Sequence, residues 1–95
     1  MPVLWIANVE VHDTEAYAAY AKVATQVIPA HGGVFIARGG AYKQLEGADR
    51  PRNVIARFPD MASAEAAYNS AEYQAVLPTA LGASDRTLVL VEVDD

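Results

Sequence analysis

His31-Gly32-Gly33-Val34-Phe35-Ile36-Ala37-Arg38-Gly39-Gly40 is an apolar stretch held between two glycine pairs, with one arginine at its far end. Valine, phenylalanine and isoleucine suit a pleated strand. The first glycine pair supplies a tight turn into that strand, and the second interrupts it as a bulge or sharp bend. Alternation puts Val34, Ile36 and Arg38 on one face and Phe35 and Ala37 on the other. Beyond the bend, Ala41 to Glu46 continues as a bent arm, and Gly47-Ala48-Asp49-Arg50-Pro51 forms a turn.

Working outward, a helix precedes this strand. Asp13 is its N-cap, and Tyr17, Tyr20, Ala21, Ala24, Val27 and Ile28 recur behind it at helical spacing. Pro29 kinks or ends the helix. Earlier still, Val3 to Val11 is a strand rich in β-formers and covered, at least in part, on both sides. Downstream, Arg52 to Phe58 is a third strand, with Val54, Ala56 and Phe58 opposed to Asn53, Ile55 and Arg57. Asp60 caps a helix from Met61 to about Asn69, with Ala64, Ala67 and Tyr68 inward. Ser70 caps a second short helix that faces Tyr73, Val76 and Leu77 to the core and is limited by Pro78. Leu81 to Arg86 reads as a loop and Thr87 to Val93 as the last strand.

The order is β-α-β-β-α-β with a broken second helix, the ferredoxin-like α+β pattern. A four-stranded antiparallel sheet in spatial order 4-1-3-2 then carries its helices on one face. Trp5, Ala7, Val9, Phe35, Ala37, Val54, Ala56, Phe58, Val89 and Val91 are assigned to the helix side. Leu4, Ile6, Val34, Ile36, Ile55, Leu88 and Leu90 are left on the open side, too much apolar surface for a monomer to keep wet. A second copy is expected to pack there, closing two sheets into an eight-stranded barrel, with the arm after Gly40 wrapping across the partner.

The totals agree with a small globular protein. The 95 residues, residues 1–95, bound a single domain with a modest core. A net charge of −5 with scattered basic residues argues against nucleic-acid binding. The absence of cysteine rules out disulfides, thiolate chemistry and a cysteine metal site, and fits a reducing, cytoplasmic setting. The N-terminus has no basic and apolar leader pattern, and no apolar run is long enough to span a membrane.

Several motifs together carry a resemblance. They are Glu15-Ala16-Tyr17 with Tyr20, His31-Gly32-Gly33, Arg38-Gly39-Gly40, Leu45-Glu46-Gly47, Phe58-Pro59, Tyr68-Asn69-Ser70 with Glu72-Tyr73-Gln74, and Leu88-Val89-Leu90-Val91-Glu92. In this order they span nearly the whole chain, which resembles the domain-of-unknown-function 1330 family. That family comprises small bacterial proteins of the dimeric α/β-barrel superfamily. Asn69 stands where aspartate is common. The resemblance implies the fold and the dimer and no reaction. Wider relatives include cofactor-free monooxygenases, muconolactone isomerase-like enzymes and haem proteins, and fold alone does not transfer their activities.

The candidate chemistry is sparse. Arg38, at the end of an apolar strand, could hold the carboxylate of a small acid or pair with Glu92 or Glu46. Strands one and three, taken as parallel neighbours, would bring Asn8, Glu10 and Arg57 together, with Asn8 orienting a ligand and Glu10–Arg57 a salt bridge. His31 is a candidate general base or a plain helix C-cap. His12 lies in a polar turn and reads as solvated. Two histidines without helical spacing make a poor metal site, and His31 is a poor haem ligand at a helix end. Gly39-Gly40 leads into no helix, so it forms no phosphate loop. The expectation is a homodimeric small-molecule-binding protein, or a cofactor-independent enzyme, for a small organic acid or aromatic. Arg38, Asn8 and His31 would supply polar contacts and Trp5 and Tyr20 the walls. A dimeric interaction or structural module without turnover is the alternative.

Overall fold

The structure is a computed structural model and describes residues 1–94. Its elements are β1 (Val3–Val11), α1 (Thr14–Ala30), β2 (Val34–Arg38), β3 (Arg52–Phe58), α2 (Met61–Asn69), α3 (Ala71–Ala83) and β4 (Ser84–Glu92). The sheet order is β2-β3-β1-β4 and every pairing is antiparallel. This is the ferredoxin-like α+β architecture, an open four-stranded sheet with its helices on one face.

Each helix starts where a side chain can take up an orphan amide. Asp13 accepts from Ala16 N at 3.0 Å, Asp60 from Ser63 N at 2.7 Å and Ser70 from Tyr73 N at 3.2 Å. α1 ends one residue after Pro29, and the chain turns through His31 and Gly32 into β2. Gly33 sits where no side chain fits: a Cβ there would lie 2.6 Å from Ile28 Cγ2 and 2.8 Å from Phe58 Cζ. The end of α1 therefore presses directly on the sheet. Trp5, Phe58, Tyr73, Val3 and Val9 are the largest fully buried side chains, and Trp5 stacks edge-on to Tyr73 with ring centroids 5.5 Å apart.

Four expectations are corrected. α3 runs through Pro78 to Ala83, and the segment read as a loop is helix followed at once by strand. Burial of Ala80 and Ala83 offsets the hydrogen bond lost at the proline. The end is closed by Ser84 Oγ donating to Ala80 O at 2.6 Å and by His12 and Asp13 amides donating to Ala83 O.

β4 is turned over relative to expectation. Leu88 lies opposite Ala7 and Leu90 opposite Trp5, so the leucines face the helices and Val89 and Val91 face out, 54% and 45% exposed. Both faces of this strand are apolar, so alternation does not say which points inward. The strand's early start at Ser84 sets the parity.

β1 and β3 are antiparallel, with Asn8 opposite Asn53 and Leu4 opposite Arg57. Asn8 and Arg57 therefore sit four residues apart along the ladder, on the order of 13 Å, and the expected Asn8–Glu10–Arg57 grouping does not form.

The bulge lies three residues before the glycine pair. Phe35 pairs with Ala56 and Ala37 with Ile55, which leaves Ile36 as the extra residue. Past it the parity of the strand reverses. Arg38 lies opposite Val54 and so shares the helix side with Phe35, not the open side with Val34 and Ile36, and Ala37 joins the open side. After Arg38 the chain has no regular secondary structure until Arg52, so the arm is a loop.

Candidate functional site

The bulge puts Arg38 at the mouth of a cavity between the sheet and α1. Trp5, Ala7 and Val54 form its floor, and Tyr17, Tyr20, Ala21, Ala24, Thr25 and Ile28 of α1 form its roof, with Phe35, Arg38 and Arg52 at the sheet edge. Counted to its open mouth the cleft encloses about 360 Å³, of which about 30 Å³ admits water centres, room for about two waters. Apart from Thr25 the walls are aromatic and aliphatic, and the charged groups at the rim are arginines.

The site is electrostatically one-sided. The Arg38 guanidinium lies 4.7 Å from the centroid of the Phe35 ring, and Arg52 lies 5.7 Å from that of Tyr17. Val9 stands between Arg52 on β3 and Arg86 on β4 in the same row of the sheet. Arg86 lies 5.0 Å from the centroid of Tyr20 and donates from Nη2 to the Tyr73 hydroxyl at 3.1 Å. The Tyr20 and Tyr73 hydroxyls are themselves 2.7 Å apart. Among the described residues no carboxylate pairs with Arg38, Arg52 or Arg86, although the chain carries a net charge of −5. Arg52 Nε and Arg86 Nη1 are buried without a hydrogen-bond partner, a costly arrangement for charged donors. Burial pushes the Tyr73 phenol well above the ordinary tyrosine value and raises Tyr17 less; Arg86 pulls both the other way.

The sequence-derived candidates divide. Trp5, Tyr20 and Arg38 meet around the cavity. Asn8 is on the other face of the sheet, where its Nδ2 donates to Asn53 Oδ1 at 2.6 Å and Asn53 Nδ2 in turn donates to Arg50 O at 3.1 Å. His31 caps α1, its Nδ1 3.0 Å from Val27 O, and borders a separate surface hollow with Val23, Gln26, Val27, Ala30 and Glu72. The expected pairing of Arg38 with Glu92 or Glu46 is not formed.

Arg52 is the site residue that sequence reasoning passed over. The signal was present, since Arg52 continues the Val54, Ala56, Phe58 series and therefore shares their inward face. Elsewhere, Glu10, His12 and Asp85 gather at an exposed strand end with ligand atoms within 4.8 Å of one another. His12 Nε2 and Asp85 Oδ2 are 3.1 Å apart there. All three are exposed and no buried group supports them, so they read as a surface ion pair with a neighbour.

The family described as "Domain of unknown function (DUF1330)" matches residues 2–94. The chain belongs to that family. No curated protein matches it. Among solved structures, a protein of unknown function from Rhodopseudomonas palustris is similar at 20% identity and TM-score 0.82, over 99% of this chain and 83% of that one. A dimeric ferredoxin-like protein of unknown function from Jannaschia sp. CCS1 has 14% identity and TM-score 0.79, over 98% of this chain and 100% of that one. A cofactor-independent oxygenase from Streptomyces nogalater has 12% identity and TM-score 0.66, over 99% and 94%. At these identities the likeness establishes the fold. Among the described residues no helix is long and apolar enough to cross a membrane.

Proposed function

We propose that this DUF1330 protein is a homodimer that binds a small organic acid or aromatic in the cavity beneath α1. The observation that carries this reading is the mouth of that cavity. Arg38 stands there over an aromatic wall with no acidic partner, and a carboxylate would complete it. Trp5 and Tyr20 wall the ligand. The dimer is supported by the open sheet face, where Val34 and Ile36 at one edge are 66% and 59% exposed and Val89 and Val91 at the opposite edge are 54% and 45% exposed. It is also supported by the dimeric description of the Jannaschia protein. Packing these faces together would close the barrel. Turnover of the bound acid without a cofactor is the finer form of the reading, in line with the chemistry named for the Streptomyces protein. His31 enters such a reaction only if the ligand reaches its separate hollow.

Native mass spectrometry of protein purified gently from cell extract tests the reading. A dimer carrying a reproducible small acidic adduct, lost in Arg38→Gln, is the expected result. A monomer overturns the barrel. An adduct-free dimer favours a second reading, an interaction or structural module without turnover. That reading is supported by Asn8 and His31, each of which already holds a hydrogen bond within the protomer.

A further inference from the structure

Arg38 and Arg52 are diagonal neighbours on one sheet face. Arg38 pairs with Val54, and Arg52 lies two residues before Val54 on the same strand. Such positions lie roughly 7–8 Å apart at Cα, close enough for two long side chains to converge on one small group. Two like charges at that spacing with no acidic partner repel each other.

Arg52 is also fitted into place. Its Nε is buried without a partner. A Cβ on Gly39 would lie 3.3 Å from Arg52 Nη1, and Gly39 has φ of +75°, so a glycine at the end of β2 leaves room for the guanidinium. Arg52 lines both the inner cavity and an outer groove with Val11, Thr14, Tyr17, Ala18 and Ala21. Ala7, Ala24, Ile28 and Val54 make much of the remaining lining apolar, with Thr25 among them. Arg86 is separated from it by the tyrosines it packs on and lines none of these hollows.

We propose that Arg52 is the second arm of a carboxylate clamp, and that the ligand is an aromatic monocarboxylate whose ring packs in the open part of the cleft while its carboxylate bridges Arg38 and Arg52. The inference rests on the binding reading above and narrows its ligand class. The lining disfavours a second anionic group, because Arg38 and Arg52 are the only cations among the described residues that line the cleft. The exposed rim admits one carboxylate to two guanidiniums, each a charge-assisted donor.

The test uses sodium benzoate, benzamide and p-cresol as probes, with titration calorimetry for affinity and NMR shifts for location. In the wild-type dimer, benzoate is expected to bind at least about tenfold more tightly than benzamide, with shifts at Trp5, Tyr20 and Phe35. Arg52→Gln is expected to remove that preference, weakening benzoate about tenfold and benzamide less. Arg52→Lys restores it only in part, because an ammonium cannot present a fork. Wild-type protein that binds benzoate no better than benzamide overturns the clamp without any variant having to fold. Benzoate binding that survives Arg52→Gln but not Arg38→Gln also overturns it, and leaves the binding reading standing. If neither benzoate nor p-cresol shifts the cavity residues, the cavity reading falls together with the clamp.

Discussion

The two faces of the sheet leave different things unfinished. On the covered face the apolar residues are satisfied, since Trp5, Ala7, Val9, Val54, Ala56 and Phe58 pack against three helices. Its charged residues are not, because Arg38, Arg52 and Arg86 have tyrosine and phenylalanine neighbours and no acid. On the open face the order is reversed. Asn8 and Asn53 satisfy each other across β1 and β3, whereas Val34, Ile36, Val89 and Val91 stand exposed. A buried donor without an acceptor and a wet aliphatic patch are both expensive, so the covered face favours a small acid and the open face a second copy.

The sharpest way to break this contrast is at the open face. Ile36 is the bulged residue, 59% exposed, and makes little contribution within the protomer. Ile36→Lys places an ammonium in the proposed interface, where it would be desolvated without a partner. Light scattering is expected to show a monomer at concentrations where the wild type is a dimer, a rise of at least about a hundredfold in the dissociation constant. A variant that stays dimeric would mean that the copies meet elsewhere.

The covered face is probed next, at Tyr73. Its hydroxyl joins Tyr20 to Arg86, so Tyr73→Phe leaves the Arg86 Nη2 donor without its acceptor and the Tyr20 hydroxyl without its partner, at a cost of about 1–3 kcal/mol in denaturant unfolding. The pH dependence has a definite sign. Burial raises the Tyr73 pKa in the folded state above the ordinary value of 10.0. Folded protein therefore keeps a proton that unfolded chain releases, and the associated stability is complete below pH 10.0 and declines as pH rises past it. Tyr73→Phe should be less stable than wild type at pH 8 but lose stability less steeply above about pH 10. Parallel curves for the two proteins would show that Tyr73 ionises as freely folded as unfolded.

How far the sequence foretold all this depends on which strand is considered. β1, β3 and α1 were legible because alternation and helical spacing were unambiguous there: Trp5, Ala7 and Val9 are buried as their pattern required. The edge strands were not. β4 is apolar on both faces, so Leu88 and Val89 were interchangeable until the helix-to-strand junction at Ser84 set the register. β2 carries a bulge whose inserted residue, Ile36, looks like any other strand isoleucine. The conspicuous glycines drew the break to the wrong place. That single inserted residue moved Arg38 from the open face to the cavity and made it a neighbour of Arg52. The walls Trp5 and Tyr20 could be named without knowing the register; which face Arg38 shares, and with which partner, could not.

Asn8 supplies the smallest and most discriminating test. It was a candidate ligand contact because it is polar among apolar residues, and the structure gives it a different occupation. Its amide donates to Asn53, which in turn ties β3 to the loop at Arg50. Asn8→Ala removes one half-buried side-chain hydrogen bond, and a loss of about 0.5–1.5 kcal/mol in unfolding free energy is expected. Benzoate affinity should be unchanged, because the sheet lies between Asn8 and the cavity floor formed by Trp5, Ala7 and Val54. If Asn8→Ala weakens benzoate binding while leaving stability intact, the ligand lies on the open face, inside the closed barrel. The arginines under α1 would then owe their unpaired state to some other cause than a missing acid.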